Sequence, residues 1–217
     1  MTMRSTEALI DSLTEQVAPV APGAVGGRVF AALLIGGVAT AVAVAAGLGL
    51  RPDLSHALYG SMIWIKWAYT LSIGLLAASG LAVVARPERR ALGWLWLGLL
   101  LPVALLAALA LGQLMATPRY GWPSLWFGHS WQRCSLSVVL LALPIFAALL
   151  RALHSLAPTR LRLAGAMAGL AAGGIAATLY GFHCPETAAP FVLTWYSLGI
   201  VVAMALGAVV GPRALRW

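Results

Sequence analysis

Two residues in the chain carry distinctive chemistry. Cys134 and Cys184 are the only cysteines among 217 residues, and they stand fifty positions apart. A pair of thiols can close a disulfide, or ligate a soft metal such as Cu(I), Zn or Cd. Arg133 precedes the first thiol and His183 the second; neighbouring cations favour the thiolate, the reactive and metal-binding form. His129 is a further nearby imidazole, so Cys134, Cys184 and His183 make a candidate metal set. The chain has no CxxC and no zinc-finger spacing, and nothing in it calls for a resident cofactor or a catalytic residue. The competing reading is that each cysteine is a small apolar filler in a membrane helix.

The surrounding sequence determines how these thiols are positioned. Hydrophobic residues make up 61% of the chain and charged residues 9%. That is too apolar for a soluble domain of this size, so an integral membrane protein is expected. The apolar runs are about 20 residues long, the length of a helix crossing the hydrocarbon core. A β-barrel would alternate in shorter pieces. The expected fold is therefore all-α and polytopic. Six transmembrane helices fall at approximately 29–50, 57–85, 91–115, 134–153, 163–182 and 187–210, making a domain over 28–217. No cleavable signal peptide is visible.

Residues 1–27 form a separate polar segment. Within it, Thr6 to Val17 reads as a short amphipathic helix, with Leu9, Ile10 and Leu13 on one face. Pro19 and Pro22 stop it. It is too short to be stable alone, so it is either a docking element or a frayed tail. At the other end of the chain, Gly165, Gly169 and Gly173 form one small-xxx-small line, and Gly199, Ala203, Gly207 and Gly211 a second. Such lines suit close helix packing, within one chain or in a homo-oligomer.

The net charge is +8, from thirteen arginines and the single lysine against six acidic residues. The arginines lie at segment ends, which suggests membrane anchoring rather than nucleic-acid binding. Six crossings put both termini on one side. Ten arginines fall on that side (Arg4, Arg28, Arg86, Arg89, Arg90, Arg151, Arg160, Arg162, Arg213 and Arg216), and three (Arg51, Arg119 and Arg133) on the other. The positive-inside rule then places both termini in the cytoplasm and both cysteines on the opposite, oxidising side. Lys66 lies about ten residues into the second segment between Trp64 and Trp67. It is expected to snorkel to the interface beside those rings, the alternative being a functional ammonium inside the membrane. The connection 116–133 is aromatic and is expected to lie as a belt on the membrane surface.

Three blocks carry a resemblance to a known family. One is Arg4-Ser5-Thr6-Glu7-Ala8-Leu9-Ile10-Asp11-Ser12-Leu13. Another is Gly121-Trp122-Pro123 followed by Trp131-x-Arg133-Cys134. The third runs from Pro158 and Leu161 through Gly165, Gly169 and Ala177-Thr178-Leu179-Tyr180. It continues through His183-Cys184-Pro185-Glu186 to Trp195-Tyr196-x-Leu198-Gly199. Together they resemble the NrsF family, negative regulators of sigma F, over essentially the whole chain. One departure is Ser5, which separates the basic residue from Thr6. The resemblance implies a multi-pass anti-sigma factor of the bacterial inner membrane, without enzymatic activity. It would hold an extracytoplasmic-function sigma factor at its cytoplasmic side, with no direct nucleic-acid contact, and release it under oxidative or heavy-metal stress. Cys134 and Cys184 would be the sensing thiols. Leu9, Ile10 and Leu13 are the candidate sigma contacts, with Arg86–Arg90 and Arg160–Arg162 beside them. The alternatives are a membrane thiol–disulfide oxidoreductase, which normally carries a CxxC pair, and a small-molecule or metal transporter, which needs a polar pathway. A scaffold without sensing would keep its thiols distant and buried.

Overall fold

The computed structural model describes residues 6–15, 23–85 and 93–216. Arg86–Arg90 and Arg4 therefore lie outside the described residues, as do residues 16–22, which include the expected helix end at Val17 and the stops at Pro19 and Pro22. Among the described residues the fold is all-helical. The short α1 covers Thr6–Glu15. Six longer helices are apolar and long enough to cross a membrane. These are α2 (Ala24–Leu48, its last turn a π-helix), α4 (Ser61–Val84), α5 (Gly93–Ala116), α7 (Trp131–His154), α8 (Leu161–Tyr180) and α9 (Ala189–Ala214). Two short helices, α3 (Leu54–Ala57) and α6 (Trp122–Phe127), lie in the connections.

The centre of the bundle is α8, built almost entirely from Ala and Gly on its buried faces. Small side chains let neighbouring backbones approach until van der Waals contact runs the length of the helix. On one face, a Cβ at Gly165 would overlap the Gly207 carbonyl, and one at Gly169 the Ala203 carbonyl. On another face, a Cβ at Gly174 would strike the backbone of Gly74 in α4. Both small-residue lines are therefore used inside this chain, α8 against α9. Polar links add registration. Thr70 and Thr178 hydroxyls meet at 2.8 Å between α4 and α8, and Thr40 of α2 donates to the Leu141 carbonyl of α7 at 2.9 Å. The outward faces of α2, α5 and α9 carry exposed large apolar residues such as Leu34, Leu97 and Val209, as lipid contact requires.

The connection expected as a surface belt contains structure of its own. A single 3-10 turn, Arg119–Gly121, leads into α6, and α7 begins at Trp131, three residues before Cys134. Phe127, Trp131 and Trp195 pack ring against ring, and the Trp195 indole N–H donates to the Trp126 carbonyl. The connection is thus tied to α9.

Candidate functional site: a closed thiol chamber

At one end of the bundle three connections converge: 49–60, 117–130 and 181–188. Cys134 sits in the first turn of α7, its N–H bonded to the Ser130 carbonyl at 3.0 Å. Cys184 follows α8, where the chain keeps turning through bonds from His183 and Cys184 N–H to the Tyr180 carbonyl. Both thiols are free and fully buried. They lie beside each other and titrate as one pair. The Ser130 hydroxyl also reaches that sulfur, at 3.8 Å.

The nearest cation is Lys66, and here the snorkelling expectation is corrected. Its side chain is 1% exposed and turned inward. The ammonium donates to the carbonyl of Cys184 at 3.1 Å and to that of Glu186 at 2.8 Å. It lies 4.5 Å from the centre of the Tyr196 ring, so its cation–π partner is not one of the flanking tryptophans. The reason is geometric. Lys66 is only five residues beyond the start of α4, but it faces the bundle interior, where unpaired loop carbonyls offer better partners than the interface. No carboxylate among the described residues is within ion-pair distance of it. Trp67 instead packs on Phe182, and Trp64 edges against Trp67.

Glu186 faces the other way. Its carboxylate accepts the His129 backbone N–H at 2.7 Å and crowds Gly128, whose φ of 51° and missing Cβ leave the required space. The short segment Cys184–Glu186 therefore joins α4, through Lys66, to the turn that launches α7. A π-helical turn, Val192–Tyr196, loosens the start of α9 and turns Tyr196 into the chamber. Ser135 beside Cys134 donates to the Trp195 carbonyl at 2.7 Å in the same turn. The buried Tyr196 hydroxyl lies beside Cys184 without a well-aligned partner. From the first connection, Gly49 and Arg51 hold the segment in place. The His183 ring nitrogen Nδ1 meets the Gly49 carbonyl at 2.9 Å, and Arg51 N–H donates to the Phe182 carbonyl. The Arg51 guanidinium clasps Asp53 with two bonds, lowering that carboxyl's pKa.

The neighbouring Cys134 thiol and the charge of Lys66 hold the Cys184 thiol below its ordinary range, against the opposing effect of burial. The sequence-level expectation assigned this influence to Arg133 and His183. The Arg133 side chain is exposed, and His183 is occupied with Gly49. These two residues, with His129, Ser130, Gln132, Ser137 and Tyr180, instead line a polar cleft of about 420 Å³. Ser130 belongs both to the cleft and to the sulfur's surroundings, so the cleft leads toward the thiols. Among the described residues no group of three or more His, Cys, Asp or Glu side chains is arranged to hold a metal ion. Two cavities in the hydrophobic zone, beside α5, are walled mainly by Leu, Ile, Val and Ala, unlike the polar pathway a transporter needs.

Lys66, Ser130, Glu186 and Tyr196 were not identified as site residues from sequence. A lysine in a membrane span is the one signal that could have found the chamber, because the default expectation for such a residue is function. At the opposite end of the chain, α1 exposes Ile10 and Leu13.

Residues 13–217 match the NrsF family, described as negative regulator of sigma F. The chain is 38% identical to a probable anti-sigma-F factor NrsF of Azospira oryzae, covering 98% of this chain and 99% of that protein. It is 37% identical to the anti-sigma-F factor NrsF of Caulobacter vibrioides, with the same coverage. No solved structure matches. These relatives are regulatory proteins rather than enzymes. An all-helical chain with six candidate spans, matched almost end to end by such regulators, belongs to the NrsF family of negative regulators of sigma F.

Proposed function

We propose that this protein is a membrane-embedded anti-sigma factor of the bacterial inner membrane that reads thiol state. Both termini lie in the cytoplasm, where the protein holds an extracytoplasmic-function sigma factor. It releases that factor when Cys134 and Cys184 are oxidised or capture a soft metal. The observation that carries the reading is the pairing of two free thiols from distant parts of the chain in one closed chamber. A scaffold would have no reason to bring them together. A thiol–disulfide oxidoreductase would need to present them to a substrate protein, whereas both are buried.

The sigma contact is assigned to α1. Leu9, Ile10 and Leu13 supply apolar anchors for a groove, as in helix-in-groove recognition, with Arg160 and Arg162 at the same membrane face. The site needs no resident cofactor, and a metal would act only as a transient signal. The protein makes no direct contact with nucleic acid. The chamber has a route to the cytoplasmic face because its parts belong to α4, α7, α8 and α9. Forming an S–S bond repositions the Cys184–Glu186 segment, which carries both the Lys66 clamp and the Glu186 bond. Rigid helices carry the shift across the bilayer. A change of about 1.4 kcal/mol in sigma affinity alters occupancy tenfold.

The test is a sigma-dependent promoter reporter in cells carrying Cys134→Ser or Cys184→Ser. Each variant should still silence the promoter, and neither should release it on treatment with hydrogen peroxide or cadmium. A normal response in both single variants would end the sensing proposal while leaving sequestration intact.

A further inference from the structure

We infer that the two thiols have different roles: Cys184 attacks the oxidant, Cys134 resolves the product, and Lys66 is the positioning residue that makes Cys184 the attacker. This rests on reading the pair as a sensor.

Three observations separate the two sulfurs. The Lys66 ammonium grips the main chain of Cys184 itself and of Glu186 two residues on, whereas the Cys134 N–H makes the ordinary bond of its own helix turn. That ammonium is buried with no carboxylate among the described residues at ion-pair distance, so the anion that best compensates it is a sulfur in the same chamber. Next, the Ser130 hydroxyl reaches the Cys184 sulfur and also lines the polar cleft. A small hydrophilic oxidant coming through the cleft therefore passes Ser130 and meets Cys184. Finally, Cys184 lies in the connection that follows α8, whereas Cys134 is fixed within the first turn of α7, so the resolving sulfur waits on a rigid helix beside the attacking one.

With a hydroperoxide as oxidant, the steps balance. The Cys184 sulfur, as thiolate, attacks the O–O bond. An S–O bond forms, the O–O bond breaks, and the leaving alkoxide or hydroxide takes up the proton that Cys184 gave up. Cys134 then attacks the sulfenic sulfur. The S–S bond forms, the S–O bond breaks, and the departing hydroxide leaves as water with the Cys134 proton. Two thiols lose two electrons, and one hydroperoxide becomes an alcohol (or water) plus water. The product disulfide is neutral, so Lys66 loses its counter-charge in the step that creates the signal.

The test uses the purified full-length chain in detergent micelles, with hydrogen peroxide as oxidant and dimedone as sulfenic-acid trap, read by mass spectrometry. Cys134→Ser should accumulate dimedone on Cys184. Cys184→Ser should label Cys134 at least ~10-fold more slowly, a tenfold difference being what one pKa unit gives in thiolate fraction. In the Cys134→Ser background, Lys66→Met should slow labelling by about the same factor, and Lys66→Arg should restore most of it. A merely structural lysine would not be rescued by charge. The unsubstituted protein supplies a check free of folding effects: N-ethylmaleimide should modify Cys184 before Cys134. Equal rates at the two thiols, or faster trapping on Cys134, would overturn the division of roles while peroxide-driven disulfide formation kept the sensor reading alive. Absence of any disulfide in the unsubstituted protein would sink both.

Discussion

The α8–α9 interface and the thiol chamber share the same two helices, yet they are held together by opposite means. Along the interface, backbone lies on backbone. Gly165, Gly169, Gly207 and Gly211 leave no room for a single added carbon, and no polar side chain is needed. In the chamber Lys66 from α4, Cys134 from α7, Tyr196 from α9 and Cys184 from the connection after α8 meet, with Lys66 bound through individual polar contacts. Close-packed contact has essentially one arrangement. A set of single polar bonds around a redox-active pair can have two. On this contrast α8 and α9 move as one body, and any change begins among the polar contacts of the chamber.

The comparison can be broken most severely at the interface. Gly169→Val should force α8 from α9 and cost about 3 kcal/mol or more, since the clash is with the backbone rather than a mobile side chain. Fluorescence-detected size exclusion of the detergent-solubilised protein should show loss of the monodisperse peak. In the chamber, Glu186→Gln weakens the charge-assisted bond to the His129 N–H, at about 1 kcal/mol. The helix packing should persist, while Cys134 becomes more accessible to maleimide. Removing the hydroxyl link with Thr178→Val should cost still less, about 0.6 kcal/mol, the average for such bonds between membrane helices. Thermal unfolding in micelles would measure it.

The smallest effect concerns the Arg51–Asp53 clasp at the chamber's rim. The Asp53 pKa is lowered by the Arg51 hydrogen bond. Its stabilisation is therefore fully present above the ordinary carboxylate pKa of about 4 and is lost as pH falls through the lower folded value. Asp53→Asn should flatten that acid limb of thermal stability slightly and leave neutral pH nearly unchanged.

How much of this could be read from residues alone depends on the scale of the signal. Segment length and hydrophobicity are properties of twenty residues at once, so the all-helical membrane character was legible. The glycine lines were legible as packing faces too, but whether they met inside one chain depended on which helices are neighbours. The thiols could be singled out by type. Their surroundings could not. Lys66 is 118 positions from Cys184, and its orientation depends on which face of α4 meets α8. Tyr196 carries no signal of its own role in the hydropathy, and it is in a π-turn that the buried ring meets Lys66. Arg133 and His183 were neighbours in sequence only; in space they form the cleft in front of the thiols. For α1, the apolar positions Ile10 and Leu13 were readable, and both are exposed.

The account's central claim is that chamber chemistry controls sigma binding. One measurement tests it most directly: membranes carrying the protein and its sigma factor are treated with graded hydrogen peroxide. The Cys134–Cys184 disulfide is then quantified by mass spectrometry alongside the sigma factor remaining in the membrane pellet. The account predicts that the two curves coincide, with sigma lost in proportion to the disulfide formed and regained on reduction. Release of sigma while both thiols stay reduced, or a fully formed disulfide with sigma still bound, would contradict it.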